Sequence, residues 1–165
     1  TSKSVRFKWR EHVTKTVSEN GEALEKFCNA LKDGNSEVVE QSLNNYLKRT
    51  ISIRDTLVKK QMKENFYHGI LLGILGFQQN WSVSSNKESG DGYSDILIET
   101  EDQETGIIIE IKYAETGNLE AVSEEALKQI EDRRYEEQLL EEGVEHILKY
   151  GIAFYKKKCK VMAVK

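Results

Sequence analysis

The sequence Ile-Ile-Ile-Glu-Ile-Lys at positions 107–112 constrains the fold of this chain more than any other segment. Isoleucine favours strands, and a nearly continuous apolar run is typical of a central strand that is covered on both faces. Because side chains alternate along a strand, Glu110 and Lys112 share one face with Ile108. Charged groups are costly in such a strand unless they have partners, so Glu110 and Lys112 are candidate functional residues.

The spacing of apolar residues along the rest of the chain predicts an α/β fold. Helices are predicted at Glu22–Leu31, Ser36–Thr50, Lys60–Phe77 and Leu119–Glu142. Strands are predicted at Trp81–Val83, Tyr93–Thr100, Gly106–Tyr113, His146–Tyr155 and Cys159–Val164. From residue 60 onwards the order is αβββαββ, which predicts a mixed sheet flanked by helices, with an α-hairpin in front of it.

Turn residues give the expected boundaries of these elements. Ser36 is the expected N-cap of the second helix, and Glu88–Gly92 is an expected turn between strands. Residues 1–20 show no clear period, and we expect them to be extended or partly ordered. We therefore expect a helical connector or partner-docking hairpin over residues 1–60 and the main domain over residues 61–165.

Composition excludes several classes of protein. The longest apolar stretch, Gly69–Phe77, is far shorter than the roughly 20 residues of a membrane span. The charged N-terminus has no apolar segment typical of a secretory signal. Cys28 and Cys159 lack the spacing of a zinc site or disulfide framework, so we expect free thiols in a reducing compartment, the cytoplasm. The first residue is Thr1, so we expect a piece of a longer protein.

Charge is distributed unevenly along the chain. The net charge is −4, with +5 in residues 1–63 and −9 in residues 64–165. This balance argues mildly against strong, autonomous binding to a polyanion. The acidic half contains the candidate site, where carboxylates can hold a cation that brings in a phosphate. The ordinary alternative for most of these acids is a solvated helix face.

Asp95 and Glu110 are the candidate pair of carboxylates. Asp95 follows the Gly90-Asp91-Gly92 turn, and its spacing of 15 residues from Glu110 suits a hairpin that brings both residues to one end of the sheet. A divalent cation relieves the repulsion between them, and oxygen ligands favour Mg²⁺ or Mn²⁺. Taken singly, a Glu–Lys pair on a strand is usually solvated, and an Asp after glycine usually serves the turn.

The combined pattern, D-x(14)-E-x-K in an αβββαβ order, resembles the PD-(D/E)XK nuclease superfamily, with Ser94 in place of the proline. More narrowly, the chain resembles the C-terminal nuclease-like domain of bacterial proteins that carry an upstream AAA-ATPase-like domain. That narrower likeness is carried by NFYHGILLGIL, SNKESGDGYSDILIE, IIIEIKYA, ALKQIEDRRY and YGIAFYKKKCKV. It covers about residues 61–165 and implies a restriction-endonuclease-like core.

The resemblance also implies roles for individual residues. Asp95 and Glu110 would hold Mg²⁺ (or Mn²⁺), with the Ile111 carbonyl as a further ligand. Lys112 would orient the attacking water or stabilise charge on the phosphorane.

Two further residues take roles from the same resemblance. Glu64 fits the acidic ligand that many members place on the first core helix, although an acid early in a helix also favours the helix dipole. Gln129 matches the Gln of a Gln…Tyr element that follows the strand carrying Glu110 in several branches. Tyr135 would be its partner, but six residues do not place the two on one helix face.

Two functions are consistent with this sequence. The first is a metal-dependent nuclease that acts on DNA. The second is a non-catalytic module with a nuclease fold that serves an attached AAA-ATPase-like domain. The chain has no GxxxxGK[ST] motif, so we expect no ATP hydrolysis by this chain itself. His68 is expected in the core. Two basic clusters, Arg133-Arg134 and the lysines at 156–158 and 160, are candidates for phosphate contacts, although solubilising a helix and a hairpin tip is the commoner use.

Overall fold

The computed structural model describes residues 21–51, 60–88, 92–132 and 135–165. The side chains of residues 60, 61, 86–88, 92–95, 132, 135 and 138 lie outside this description. The expectations for residues 1–20, and for residues 89–91 of the first turn between strands, also fall outside it.

The described residues form five helices and five strands. The helices are α1 Gly21–Asp33, α2 Ser36–Thr50, α3 Lys60–Leu75, α4 Leu119–Asp132 and α5 Tyr135–Glu141. The strands are β1 Ser82–Glu88, β2 Gly92–Glu99, β3 Thr105–Tyr113, β4 His146–Tyr155 and β5 Lys158–Val164. They make one sheet in the order β1-β2-β3-β4-β5, in which only the β3–β4 pair is parallel. The predicted mixed sheet, with helices beside it and a hairpin in front, is confirmed.

The central strand β3 is covered on both faces, as its sequence predicts. Ile107, Ile109 and Ile111 belong to the larger core, which they share with α1, α2 and α3. Ile108 points the other way and packs in a smaller core with residues of α4 and α5. All four isoleucines are at most 1% exposed, so the alternation along β3 separates the two layers of the domain.

The helical hairpin of α1 and α2 packs directly on the sheet. In α2, Asn44 donates to the carbonyl of Cys159 at 3.2 Å and accepts from its amide at 2.8 Å. One turn earlier, the Glu40 carboxylate accepts from the amide of Val161 at 2.9 Å. The Tyr150 hydroxyl of β4 donates to a carbonyl of α1. The domain boundary expected near residue 60 stays a prediction, and the described residues on either side of it share one core.

An ion-pair cluster holds α1 to the turn between β2 and β3. Lys32 Nζ lies 2.9 Å from a carboxylate oxygen of Glu101 and 2.9 Å from one of Asp102. Trp81 donates its indole N–H to the other Glu101 oxygen at 2.6 Å. Hydrogen bonds from the Thr100 hydroxyl and from Lys32 hold the pKa of Asp102 well below its usual range. The cluster is therefore charged at neutral pH.

Most predicted element boundaries lie within two residues of those in the structure, and the main differences concern the cap of α2 and the length of β1. Within the predicted helix Leu119–Glu142, α4 and α5 are both helical, and the two residues between them lie outside the described ranges. The N-cap of α2 is Asn35, whose side chain accepts from the amide of Val38, and Ser36 is the first helical residue. The short strand predicted at Trp81–Val83 is the longer β1, because its polar residues pair along the whole of β2. No helix in the described ranges is both long enough and apolar enough to cross a membrane.

The close approach of α4 to β4 leads to a test of this packing. A Cβ on Gly151 would collide with the carbonyl oxygen of Ser123 and lie 2.8 Å from the amide nitrogen of Leu127. These are backbone atoms of a helix, which cannot swing aside. We expect Gly151→Ala to lower the free energy of unfolding by about 3 kcal/mol in urea denaturation.

Gly69→Ala is the matched control, because no atom lies within 4 Å of a Cβ at this helical position of α3. We expect this control to raise the free energy of unfolding by about 0.5–1 kcal/mol, as alanine does in a helix interior. Equal effects of the two substitutions would contradict the described contact between α4 and β4.

Candidate active site

The two predicted carboxylate positions face each other at the end of a ladder. The β2–β3 pairing runs from Glu99↔Gly106 to Asp95↔Glu110 and ends there. Beyond this pair, residues 92 and 93 of β2 continue only with β1, while β3 continues with β4. The sheet is therefore open between β2 and β3 just past the Asp95–Glu110 pair, and the backbone register puts both positions on one face.

A bulge lies immediately before Asp95. Asn86 pairs with Asp95 and Lys87 with Tyr93, so Ser94 is the extra residue on β2. Bulges bend a strand and are frequent beside functional sites. They are also positions where proline fits in a sheet, because the ladder is interrupted there. The bulge is present here with serine in place of the proline of the motif.

The backbone of β3 turns polar groups towards this opening. The amide of Ala114 donates to β4, at the Phe154 carbonyl, at 2.8 Å. Amides alternate in direction along a strand, and the amide of Tyr113 points away from β4 to the Glu64 carboxylate at 3.1 Å. By the same alternation, the amide and carbonyl of Ile111 point to the β2 side. The Ile111 carbonyl therefore faces the opening next to the Asp95–Glu110 pair.

Glu110 carries the strongest chemical signal of the site. Its side chain is 0% exposed, and neither carboxylate oxygen has a hydrogen-bond partner in the described part of the chain. A buried charge without a partner is expensive, and structures rarely leave one in a core without a functional reason. Two buried, unpaired oxygens that face the position of a second carboxylate fit a cation ligand.

Glu64 lies at the same end of the sheet, on the opposite helix layer. It is half-buried in α3, beyond the first turn of the helix, and one oxygen accepts from the Tyr113 amide. Tyr67, one turn further on, stacks on Phe154 at 4.5 Å and donates its hydroxyl proton to the Lys156 carbonyl at 2.6 Å. Burial raises the pKa of Tyr67, so it remains a donor. These contacts fix α3, and Glu64 with it, against the open edge of β3.

Lys112 is on the face of Glu110 but contacts a residue that sequence reasoning missed. Its Nζ lies 3.6 Å from a carboxylate oxygen of Glu125 in α4, and its side chain is 21% exposed. The side chain of Glu125 is 67% exposed, so this ion pair is solvated and weak. The sequence offered one indication of Glu125: it lies four residues before Gln129, and residues with this spacing share a helix face.

Gln129 is half-buried one helical turn beyond Glu125, and its side chain forms no hydrogen bond within the described part of the chain. Because α4 connects the parallel strands β3 and β4, it runs antiparallel to both. One turn along α4, about 5.4 Å, therefore leads from Lys112 back towards the level of Glu110. Gln129 thus lies on the flank of the site, whereas the side chain of Tyr135 is outside the described residues.

No group of three His, Cys, Asp or Glu side chains that could hold a metal ion occurs among the described side chains. The side chain of Asp95 is not one of them, so the predicted metal centre is not tested as a set. The described part contributes Glu110, the direction of the Ile111 carbonyl and the placement of Glu64.

Two other residues, His68 and Trp81, have structural partners. His68 is 4% exposed, and its Nε2 lies 3.1 Å from the Ser85 hydroxyl, which agrees with the expected core histidine. Trp81 is 7% exposed and bonded to Glu101. Neither residue lies in the open part of the sheet.

Comparison with known proteins gives one family. Residues 62–164 match the PD-(D/E)XK nuclease superfamily. Searches of curated proteins and of solved structures found no match. The matched segment contains α3 from residue 62 onwards, the whole sheet, and every candidate residue from Glu64 to Gln129. It spans more than half of the chain, which therefore belongs to the PD-(D/E)XK nuclease superfamily.

Proposed function

We propose that this chain is a metal-dependent nuclease domain that hydrolyses phosphodiester bonds in DNA. The observation that carries the proposal is the buried carboxylate of Glu110, which has no partner in the described residues and lies across the ladder from Asp95. Protonation alone would leave a buried O–H group that still needs an acceptor. A cation between the two residues would satisfy both oxygens of Glu110.

The proposed ligands are oxygen atoms from three elements. Asp95 and Glu110 would supply charged ligand oxygens from β2 and β3. The Ile111 carbonyl would be a neutral ligand from β3, and Glu64 would be a further acidic ligand from α3. Mg²⁺ and Mn²⁺ are the divalent cations that such a set favours, and Mg²⁺ in proteins commonly keeps several waters. The coordination positions that such waters occupy are the ones that a phosphate oxygen and the attacking water would take.

The chemistry divides between the cation and the protein. When bound, the cation would lower the pKa of a water molecule and polarise the scissile phosphate. Lys112, two residues from Glu110 on the same face, would place an ammonium group where negative charge grows on the phosphate. Its weak, solvated contact with Glu125 leaves it able to turn towards substrate. Gln129 would donate a hydrogen bond from the flank of α4 to orient the water or a phosphate oxygen.

A second candidate is a non-catalytic module that serves an attached AAA-ATPase-like domain. The acidic charge of −9 in residues 64–165 favours it, because that charge opposes the approach of a polyanion. The retention of Asp95, Glu110 and Lys112 together favours the nuclease. We place the protein in the bacterial cytoplasm, a location supported by its two free, buried cysteines.

The metal site can be tested by titration calorimetry with Mn²⁺. We expect measurable binding by the wild-type chain and its loss in Asp95→Ala and Glu110→Ala, because each substitution removes a charged ligand. Glu99→Ala is the matched control, since this acid lies four residues from Asp95 on the same strand and face. Equally weak binding in the wild type and in Asp95→Ala would exclude the site.

Thermal unfolding gives a second readout of the metal site. Without metal, Glu110→Ala should be at least as stable as the wild type, since it removes an unpaired buried charge. Mn²⁺ should raise the Tm of the wild type and leave that of Glu110→Ala unchanged.

A cleavage assay distinguishes the proposed role of Glu110 from that of Lys112. With Mg²⁺ and a plasmid or single-stranded DNA substrate, we expect Glu110→Ala to abolish cleavage through loss of the metal, with partial recovery at high metal concentration. Lys112→Ala should keep metal affinity but lose roughly 10²–10³ in rate, by analogy with removal of one preorganised donor. High metal should not restore it.

The controls for this assay are EDTA and the circular dichroism of each variant. A wild type that binds Mn²⁺ but cleaves no nucleic acid would favour the interaction module. Activity that survives both substitutions would place the chemistry elsewhere or in a contaminant.

A further inference from the structure

Four lysines gather at the end of the sheet where the parallel strands β3 and β4 finish. Lys63 lies in the first turn of α3. Lys156 and Lys157 form the turn between β4 and β5, and Lys158 is the first residue of β5. We call these four residues the lysine rim. The sequence alone does not place Lys63 beside the turn, because the two segments are more than 90 residues apart.

Aromatic rings hold two members of the rim in adjacent positions. Lys63 Nζ lies 4.5 Å from the ring centroid of Tyr113, and Lys156 Nζ lies 5.1 Å from that of Tyr155. The two rings are 6.0 Å apart, at the ends of neighbouring strands. An ammonium over a ring keeps its charge while its side chain loses freedom, so less entropy remains to be lost when it binds an anion.

The turn that carries the other lysines is itself held in place. Lys156 has a φ of +52°, a left-handed conformation that a lysine seldom adopts. Its carbonyl accepts the Tyr67 hydroxyl at 2.6 Å, which ties the turn to α3. A solubilising hairpin tip would need neither this anchor nor the rings.

The charges of the rim are not neutralised within the described part of the chain. None of its four lysines forms an ion pair there, whereas Lys32, Lys112, Lys149 and Lys160 all do. Among the described residues, Glu64 is half-buried against the Tyr113 amide, and Glu115 lies in the exposed loop after β3. The rim is thus a local region of positive charge on a chain of net charge −4.

The rim adjoins the candidate site through the sequence as well as in space. Lys63 precedes Glu64, and Tyr113 follows Lys112. Tyr113 is only 4% exposed, and Lys63 lies over its ring, so this ring is not free to stack on bases. Ammonium groups fixed beside a phosphodiester site suit contacts to the sugar-phosphate backbone, which are independent of base sequence.

From these contacts we propose that the lysine rim binds the phosphate backbone of DNA next to the bond to be cleaved. This assignment rests on the proposed nuclease function and adds the surface that brings the polyanion to an otherwise acidic domain. The rim holds the strand, while the metal ligands and Lys112 act on the scissile phosphate.

The test uses fluorescence anisotropy of a short labelled DNA duplex, in EDTA so that the probe stays intact, over a series of NaCl concentrations. The variant Lys63→Gln/Lys156→Asn removes the two lysines held over rings, with asparagine chosen because it tolerates a positive φ. The control Lys26→Gln/Lys48→Gln makes the same charge change at exposed positions of α1 and α2.

We expect the rim variant to bind more weakly and to reduce the slope of log K against log salt by about 2, since each phosphate contact contributes about 0.9. The control should change the slope little. Equal effects of the two variants, or no binding by the wild type, would overturn the assignment. So would a rim effect with an RNA duplex but none with DNA.

Mn²⁺ calorimetry on the same rim variant separates the two proposals. If the rim variant keeps both the metal affinity and the salt slope of the wild type, the proposed role of the rim is wrong and the proposed metal centre stands. If the rim variant has a reduced salt slope but the wild type binds no metal, the proposed role of the rim stands and the proposed catalytic site is wrong.

Discussion

The carboxylate of Glu110 is fully buried on the face of β3 that it shares with Ile108, in a strand covered by an apolar layer on each side. The loss of its hydration must therefore be offset by something inside the protein. The isoleucines of β3 pack into both layers, and apolar residues on both faces suit β3 to the middle of the sheet. Because the β2–β3 ladder stops at Glu110, the strand edge beyond it is open. Glu64 fills part of that opening and supplies the acceptor that the Tyr113 amide would otherwise have from β2. The site is thus a place where the sheet has been left incomplete.

Much of the fold could be predicted because its signals are local. The alternation in β3 gave the two faces correctly, and the predicted bounds of β4 agree with the structure. The differences arise where non-local contacts decide. The strand β1 is mostly polar, and it extends to Glu88 because β2 supplies hydrogen-bond partners along its length.

The candidate site was less predictable than the fold. Asp95 and Glu110 lie opposite each other because β2 and β3 form a hairpin with a short turn. Their spacing in the sequence was therefore sufficient to predict this pairing. The contact between Lys112 and Glu125 depends on how α4 lies across β3, which periodicity does not encode. The same holds for Lys63 and Tyr113, which meet because α3 is anchored by Tyr67. Roles of Asp95, Glu64 and Gln129 remain predictions, since they depend on side-chain positions or ligands.

The contacts of Asn44 and Glu40 with β5 have a consequence for any shortened form of the chain. β5 is the last strand of the sheet, and its outward-facing amides would offer a ready template for a strand of another molecule. Two side chains one helical turn apart occupy the amides of Cys159 and Val161, as a sixth strand would. A fragment that began at residue 60 would keep the whole sheet and the family motif but expose this edge. We expect such a fragment to self-associate through the edge of β5. In the longer chain the helical hairpin covers this edge and so prevents strand pairing between molecules.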